Sequence, residues 1–297
     1  MITVHSLKDE ELKAIKEMDY MMWLSIQYHG DFSKENTMIA IDEKETVLGA
    51  GCLSFDSSWY ATTKETMHNL TAEFVLKETL PKETAKEVRH KLMNKLKERF
   101  DSYQNEDKER KQCIQSFCES TDTDELQFYL DEGFTMETII PVMKLELSTD
   151  ISHTNLPANV TIVPLAKDLD TIHSYIHATS LSYEDGPDSE RELLFRMGAK
   201  DLCCFTAVSN GAIVGGISVW GIDKQRAATE NLFVIPKFRR QGIAKELMAT
   251  AAAHLKQQGF TCATLSMLGT NRKAMDLYLE RGYKLYYLLI RMQYQGK

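Results

Sequence analysis

The spacing of apolar residues predicts a regular series of strands and helices in the second half of the chain. Helical spacing recurs at 168–181, at 271–282 and at 241–258, where Ile243, Leu247, Met248 and Leu255 fall on one face. Strand-like runs occupy 160–165, 228–235, 262–268 and 283–294, and the Asn210-Gly211 pair predicts a tight hairpin within 201–222. With a further short helix near Arg191–Met197, the order β-α-α-β-β-β-α-β-α-β predicts a mixed α/β sheet with helices on both faces.

The first half of the chain repeats this pattern. The matched segments are Val75–Val88 with Val234–Leu247, Cys113–Phe134 with Cys262–Tyr283, and Val47–Phe55 with Ile213–Gly221. Matched residues are closer along the chain in the second match than in the first, because the first copy contains an additional charged stretch, Ser102–Lys111. We expect this stretch to be a surface loop. We therefore predict two tandem α/β domains, 1–148 and 160–297, joined by a linker at 149–159, where the periodicity stops and turn-forming residues cluster.

Composition and charge narrow the class of protein. A 43% hydrophobic and 26% charged composition is typical of a soluble globular protein, and the N-terminal stretch is amphipathic and acidic, unlike a signal peptide. No apolar run approaches membrane-spanning length, and the six cysteines show no CxxC pairing, so we expect a cytoplasmic protein with reduced core thiols. The net charge of −8 disfavours nucleic acid as a partner. Residues 149–297 carry 17 Lys and Arg against 14 Asp and Glu, whereas residues 1–148 carry 18 against 29, so an anion is expected to bind in the second half.

The stretch FRRQGIAKEL, Phe238–Leu247, places two arginines at the start of a predicted helix. A helix N-terminus already carries a partial positive charge, so the arrangement becomes favourable if a di-anion such as a diphosphate binds the unpaired N–H groups there. Gly242 would let that anion approach the backbone without a Cβ in the way, and Ala244 keeps the next turn open. The alternative is an ordinary solvated basic loop.

These residues resemble a known family. Arg239-Arg240-Gln241-Gly242-Ile243-Ala244 is similar to the R/Q-x-x-G-x-G/A acyl-CoA loop of the GCN5-related N-acetyltransferases (GNAT). A second signature of that family, N-x-x-A-x-x-x-Y-x-x-x-G-[FY], is matched by Asn271, Ala274, Tyr278, Gly282 and Tyr283. The resemblance covers about residues 160–293 well and the first half more weakly, so the chain resembles a tandem GNAT protein.

The resemblance implies acetyl-CoA as co-substrate, with no metal. It implies that the diphosphate lies on the N–H groups of residues 240–245, a set that comprises Arg240, Gln241, Gly242, Ile243, Ala244 and Lys245. The backbone of Leu232, Phe233 and Val234 would pair with the pantetheine arm, and one N–H there would polarise the thioester carbonyl. Asn271 would contact the pantetheine or sulfur region, cap its helix, or do both.

Two side chains are candidates for proton transfer. Tyr278 is the candidate general acid for the leaving thiolate, and the alternative is an aromatic residue packed on the strand. Glu230, at the start of the central strand and facing the presumed cleft, is the candidate general base, through water, and the alternative is a surface strand residue. Asp223 is a weaker substitute for Glu230.

Other polar residues are less specific. His173 and His177 are spaced i, i+4 but lack the Glu of H-E-x-x-H, so we expect a solvated or substrate-lining face. The adjacent Cys203 and Cys204 should point to opposite sides of a strand. The loop Ser182–Glu190 lies where the family shapes its acceptor pocket, and its Glu184, Asp185 and Asp188 would suit a cationic amine.

The first copy lacks the phosphate-loop residues. Leu80, Pro81, Lys82 and Glu83 align with Arg239, Arg240, Gln241 and Gly242, and Asp122 and Tyr129 align with Asn271 and Tyr278. We expect residues 1–148 to keep the fold without binding CoA, and to wall the acceptor cleft or bury a sheet edge. The predicted function is acetyl transfer to a primary amine of a small molecule by a monomer or homodimer. The alternatives are a non-catalytic acyl-CoA sensor and an enzyme that acetylates protein N-termini or lysines.

Overall fold

The computed structural model describes residues 1–28, 32–60, 65–148, 152–182, 193 and 202–296, and the chain forms two compact units. The first unit comprises Met1–Thr138 and Ile290–Lys297, and the second comprises Ile139–Leu289. Each unit is a mixed sheet flanked by helices, as the apolar pattern predicted.

The first unit contains the following helices and strands. In chain order they are β1 (Thr3–Ser6), α1 (Leu12–Met18), α2 (Tyr20–Tyr28), β2 (Phe32–Ile41), β3 (Val47–Phe55), β4 (His68–Leu76), α3 (Lys82–Glu106), β5 (Gln112–Glu119), α4 (Thr123–Asp131) and the start of β6 (Thr135–Glu146). The strands β1 to β5 are neighbours in sequence order, with β4 and β5 parallel and the other pairs antiparallel. Leu92, Leu96 and Phe100 of α3 are fully buried in its main core.

The second unit contains the remainder of β6 and the second copy. Its further elements are β7 (Val160–Pro164), α5 (Leu169–Ser180), β8 (Cys203–Ser209), β9 (Ala212–Gly221), β10 (Arg226–Val234), α6 (Ile243–Gln257), β11 (Cys262–Ser266), α7 (Arg272–Glu280) and most of β12 (Lys284–Tyr294). The strand order is β6-β11-β10-β9-β8-β7, with β10 and β11 parallel. The predicted helix near 191–197 lies outside the described residues apart from residue 193.

Local sequence accounts for the main features of the second unit. Asn210 and Gly211 both have positive φ, 50° and 80°, as the predicted tight hairpin between β8 and β9 requires. The apolar face of α6 is buried against the sheet, where Ile243 and Leu247 are at most 1% exposed. Burying a side chain of this size stabilises the fold by about 1.5–3 kcal/mol, so this stripe fixes α6 on the sheet.

The two faces of this sheet are covered by different helices. One core cluster includes most of the buried residues of α6, and the other includes Tyr175 of α5 together with Phe233 of β10. Cys203 packs on the first cluster and Cys204 belongs to the second, so the adjacent cysteines point to opposite faces, as alternation along a strand requires. All six cysteines are free thiols.

The prediction for the charged stretch Ser102–Lys111 was wrong in part. Helix α3 continues to Glu106, and only the residues from Asp107 onward form a turn. The helix continues because Ser102–Glu106 contains no Gly or Pro, and because Tyr103 packs on the ring of Trp59 at 5.3 Å and donates to Asn36 Oδ1 at 2.8 Å. These contacts bury one side of the inserted turns.

Residues 139–147 contribute to the core of the second unit. Met143, Leu145 and Leu147 are at most 2% exposed in the cluster that α6 covers, and β6 pairs with β11 from Val142 to Glu146. The boundary between the units, after Thr138, therefore differs from the predicted domain end at 148, because most of β6 belongs to the second unit. In the described ranges, no helix carries an apolar stretch long enough to cross a membrane.

Candidate active site

The connection between β10 and α6 contains two left-handed residues. After β10 ends at Val234, a short 3-10 turn spans Pro236–Phe238, and Arg240 and Gly242 then have φ of 65° and 81°. Gly242 is the N-cap of α6 and contributes no side-chain oxygen to the helix. The first N–H groups of α6 have no partner within the helix, so this turn presents backbone donors suited to an anion.

The cationic side chains of this loop have different partners. Arg239 donates from Nε to the carbonyl of Val234 at 2.9 Å and from Nη2 to the carbonyl of Ser182 at 3.3 Å. Lys245 forms an ion pair with Glu280. The exposed guanidinium of Arg240 has no ion-pair or hydrogen-bond partner within the described ranges. Arg239 thus holds the loop to β10, and Arg240 is the guanidinium left for a ligand.

Gly242 also contacts residues that precede β7. A Cβ placed on Gly242 would lie 2.7 Å from Cγ2 of Thr154 and 3.6 Å from the carbonyl oxygen of Asn155. The positive φ and this close approach each require glycine. The space beside this Cα is therefore already filled by Thr154, a contact that the sequence did not reveal.

Strand β10 carries a bulge next to the loop. Its register with β9 shifts between Glu230 and Phe233, and Asn231 has a φ of 51°. The parallel pairing of β10 with β11 runs only from Arg226 to Ala228, although both strands continue. A bulge re-aims backbone groups, and here it lies just before Leu232–Val234, beyond the last β10–β11 pair.

Tyr278 lies on α7 and is half-buried against the core beneath α6. Burial raises its pKa above the usual value of 10.0, so the hydroxyl stays protonated near neutral pH. No described residue forms a hydrogen bond with this hydroxyl. Tyr283, whose ring centroid lies 5.8 Å from that of Tyr278, is buried, and burial raises its pKa to about 12.

Asn271 caps α7. Its Oδ1 accepts from the N–H of Ala274 at 3.1 Å, as the predicted cap requires. This bond leaves the amide NH₂ group of Asn271 as a donor for a ligand.

Glu230 lies on the opposite face of the sheet from Tyr278. It pairs with Ser218, which in turn pairs with Cys204, and Cys204 belongs to the core that Tyr175 of α5 helps to form. Glu230 is half-buried and is the fifth residue of β10, immediately before the bulge, whereas the sequence had placed it at the start of the strand. The sheet therefore carries a candidate acid on one face and a candidate base on the other.

Asp223 is less suited to act as a base. Its Oδ1 accepts from the N–H groups of Gln225 and Arg226 at 2.8 Å each, and these bonds hold the pKa of its carboxyl below 3.8. His173 and His177 are both exposed on α5. In the described part of the chain, no three His, Cys, Asp or Glu side chains form a metal-binding group. Glu184, Asp185 and Asp188 lie outside the described residues.

Comparison with known sequences identifies the family. The model of the acetyltransferase (GNAT) family matches residues 169–283, which run from α5 through the loop and α7. An uncharacterized N-acetyltransferase of Bacillus subtilis (strain 168), YhfO, is 30% identical over 101 residues, which are 32% of this chain and 68% of the relative. The chain belongs to the GNAT family.

Solved GNAT structures share the fold of the whole chain. A tandem GNAT protein from the clavulanic acid biosynthesis pathway matches with a TM-score of 0.73 and 12% identity, covering 100% of this chain and 99% of that one. A GCN5-related N-acetyltransferase from Sphaerobacter thermophilus matches with a TM-score of 0.66 and 13% identity, covering 100% and 97%. At these identities the similarity establishes the tandem GNAT fold.

The first GNAT unit lacks the loop geometry of the second. Residues 77–84 have no positive φ, Pro81 is the N-cap of α3, and Glu83 places a carboxylate in its first turn. The register of β3 with β4 runs from Gly49–Leu76 to Phe55–Leu70 without a bulge. Within the described ranges, the first unit therefore has neither the left-handed turn nor the strand bulge that precede α6 in the second.

The counterpart of Tyr278 is engaged within the first unit. Tyr129 is buried, and its hydroxyl bonds to Ser116 Oγ and lies 3.5 Å from Nη2 of Arg89. The guanidinium of Arg89 stacks on Phe128 at 4.3 Å and forms an ion pair with Glu125. The hydroxyl of Tyr129 is therefore engaged by neighbouring side chains, whereas that of Tyr278 bonds to no described residue.

The residues of the second unit fit acetyl-CoA. The left-handed turn before α6 suits a diphosphate, and Leu232–Val234 lie beyond the last β10–β11 pair, Ala228 with Thr264. Three features of this region were missed from the sequence: the bulge at Asn231, the carbonyl contacts of Arg239, and Thr154 against Gly242. Asn is enriched among non-glycine residues with positive φ, which is the one signal that could have indicated the bulge.

Proposed function

We propose that this protein is an acetyl-CoA-dependent N-acetyltransferase that acts on a primary amine of a small molecule. Membership of the GNAT family supports acyl transfer in general. The observation that carries the proposal is the left-handed turn of Arg240 and Gly242 into α6, directly after a bulged strand whose pairing with β11 has ended.

The binding residues follow from this geometry. The N–H groups of residues 240–245 and the guanidinium of Arg240 would hold the diphosphate. The backbone of Leu232–Val234 would bond to the pantetheine arm as an added strand, and the amide of Asn271 would contact that arm near its sulfur. Acetyl-CoA, when bound, supplies the thioester whose carbonyl carbon the amine attacks.

Two residues would move protons. An alkylamine has a pKa near 10.4, so Glu230 accepts a proton from the incoming ammonium through water before attack. Tyr278 holds a proton that it can give to the departing thiolate, because burial raises its pKa and keeps the hydroxyl protonated. The two groups lie on opposite faces of the sheet, so the amine would approach from the face of Glu230 and the thiolate would leave toward the face of Tyr278.

A thiol-release assay with full-length protein tests this function. Acetyl-CoA would be presented with a panel of small primary amines and, separately, with peptides that carry a free N-terminus or lysine. We expect release with one or more small amines. Tyr278→Phe should lower kcat by about a hundredfold or more while CoA binding is kept, because general acid catalysis contributes about 10²–10⁴ in rate. Tyr286→Phe, an exposed tyrosine of the same unit, is the control.

Each other outcome has a distinct meaning. CoA binding by wild-type protein without transfer to any amine would support an acyl-CoA sensor instead. Transfer confined to the peptides would identify a protein acetyltransferase. Full activity of Tyr278→Phe would exclude Tyr278 as the acid.

A further inference from the structure

The segment Ser152–Asn155, which we call the strap, is tied to the ends of two helices in the second unit. Arg281, which follows α7, donates from Nη2 to the carbonyl of Ser152 at 2.5 Å. The N–H of Thr154 donates to Oε2 of Glu246, in the first turns of α6, at 2.6 Å. These two bonds fix the backbone of the strap between the end of α7 and the start of α6.

The strap reaches the phosphate loop itself. Cγ2 of Thr154 occupies the space beside the Cα of Gly242, and the carbonyl of Asn155 lies near the same point. Leu156, the next residue, packs against the core cluster that α6 covers. The strap is therefore a wall of the loop that receives the diphosphate in the proposed function.

His153 is the ionisable side chain of the strap. Its Nδ1 lies 2.7 Å from Oε1 of Glu246, and because a carboxylate accepts, Nδ1 carries the proton of this bond. The Glu246 side chain is 13% exposed and that of His153 is 66% exposed. Nε2, on the opposite edge of the ring, bonds to no described residue.

We propose that His153 binds a phosphate group of CoA through Nε2, an inference that rests on the proposed function. A protonated imidazole donates from both nitrogens, so it can bridge the Glu246 carboxylate and a phosphate oxygen. Arg239 and Lys245 are already engaged by carbonyls and by Glu280, so His153 would add a further donor to the loop. The phosphate is either the diphosphate or the 3′-phosphate, which share this chemistry.

Isothermal titration calorimetry of the full chain with CoA tests the role of His153. The variants are His153→Ala and His153→Gln, of which the second keeps an N–H donor for Glu246 but carries no charge. His177→Ala, an exposed histidine on α5, is the control. Each titration is run at low and at high ionic strength, and again with 3′-dephospho-CoA.

We expect both His153 variants to raise the Kd for CoA about tenfold at low salt, as for loss of a hydrogen bond to a charged group. The dependence of Kd on salt should become shallower, because a screened ion pair has been removed. A purely structural strap would leave that dependence as in wild type. If the loss disappears with 3′-dephospho-CoA, His153 binds the 3′-phosphate; if it persists, His153 binds the diphosphate.

Unchanged or tighter CoA binding by the variants would overturn the inference, as would a wild-type salt dependence. Tighter binding would show that the strap obstructs the loop. Failure of wild-type protein to bind CoA is a separate result, since it would remove the proposed function itself.

Discussion

Arg239 and Arg240 are neighbours in sequence with different roles in the structure. Arg239 bonds to the carbonyls of Val234 and Ser182, whereas Arg240 is exposed at a φ of 65°. The sequence suggested two equivalent guanidinium groups awaiting an anion. The structure separates them, because one is satisfied by backbone oxygens that only the fold brings near.

This difference predicts that alanine substitution of Arg240 affects CoA binding, whereas that of Arg239 affects stability. Arg240→Ala should raise the Kd for CoA about tenfold with unchanged stability, because it removes a charged donor to the ligand. Arg239→Ala should lower the free energy of unfolding by about 1 kcal/mol, because it releases the loop from β10. Calorimetry and urea unfolding measure the two effects. A loss of stability confined to Arg240→Ala would contradict the assignment.

Gly242 has two structural reasons to be glycine, and alanine substitution separates them. Gly211 has nearly the same φ, 80° against 81°, but a Cβ there would meet nothing within 4 Å. Gly211→Ala should therefore lower the free energy of unfolding only by the cost of a left-handed alanine, about 1–2 kcal/mol. Gly242→Ala should lose more, since it also displaces Thr154, and should weaken CoA binding. Equal losses in urea unfolding would show that the strap does not press on Gly242.

At the scale of elements, apolar periodicity and capping residues predicted those features of the structure that depend on residues close together in sequence. The Asn210-Gly211 hairpin, the Asn271 cap and the buried stripe of α6 each depend on residues a few positions apart, and the structure contains all three. The insertion at Ser102–Lys111 was mispredicted because contacts distant in sequence, such as Tyr103 with Asn36, extend α3. The bulge and the strap likewise depend on pairing between distant segments, so spacing alone could not give them.

The bulge in β10 can be tested against a turn with the same backbone conformation. Asn231 and Asn210 have φ of 51° and 50°, a region that β-branched residues avoid. Asn231→Val and Asn210→Val should each lose about 1–2 kcal/mol of stability. Only Asn231→Val should also lower the rate of acetyl transfer, because only that bulge re-aims the backbone beside Leu232–Val234. Equal transfer rates in the two variants would argue against a catalytic role for the bulge.

At the scale of the whole molecule, one fold occurs twice, whereas the left-handed turn that precedes α6 has no counterpart before α3. The parallel strand pair of each unit stops bonding partway, after Thr71 with Gln115 in the first and after Ala228 with Thr264 in the second. The repeat in the sequence predicted this shared architecture. The absence of CoA binding by the first copy is still a prediction, supported by Glu83 at the start of α3 and by the engaged hydroxyl of Tyr129.

Burial of weak acids in both units predicts a loss of stability at alkaline pH. Burial raises the pKa of Cys52 and of Tyr283 to about 12, from 9.0 and 10.0. A raised pKa in the folded state means that the folded protein holds protons the unfolded chain releases, so stability falls as pH rises from about 9 through about 12. Thermal unfolding from pH 7 to 11.5 measures this, and Cys52→Ala should flatten the decline. A constant melting temperature across that range would contradict it.

The most direct test of the account is the number of CoA molecules bound by each chain. Calorimetric titration of full-length protein should give one site, abolished by Arg240→Glu and unaffected by Lys82→Glu, a variant in the matching loop of the first copy. One site follows because the left-handed turn before α6 has no counterpart before α3. Two sites per chain, no binding, or a site lost with Lys82→Glu and kept with Arg240→Glu would contradict the account.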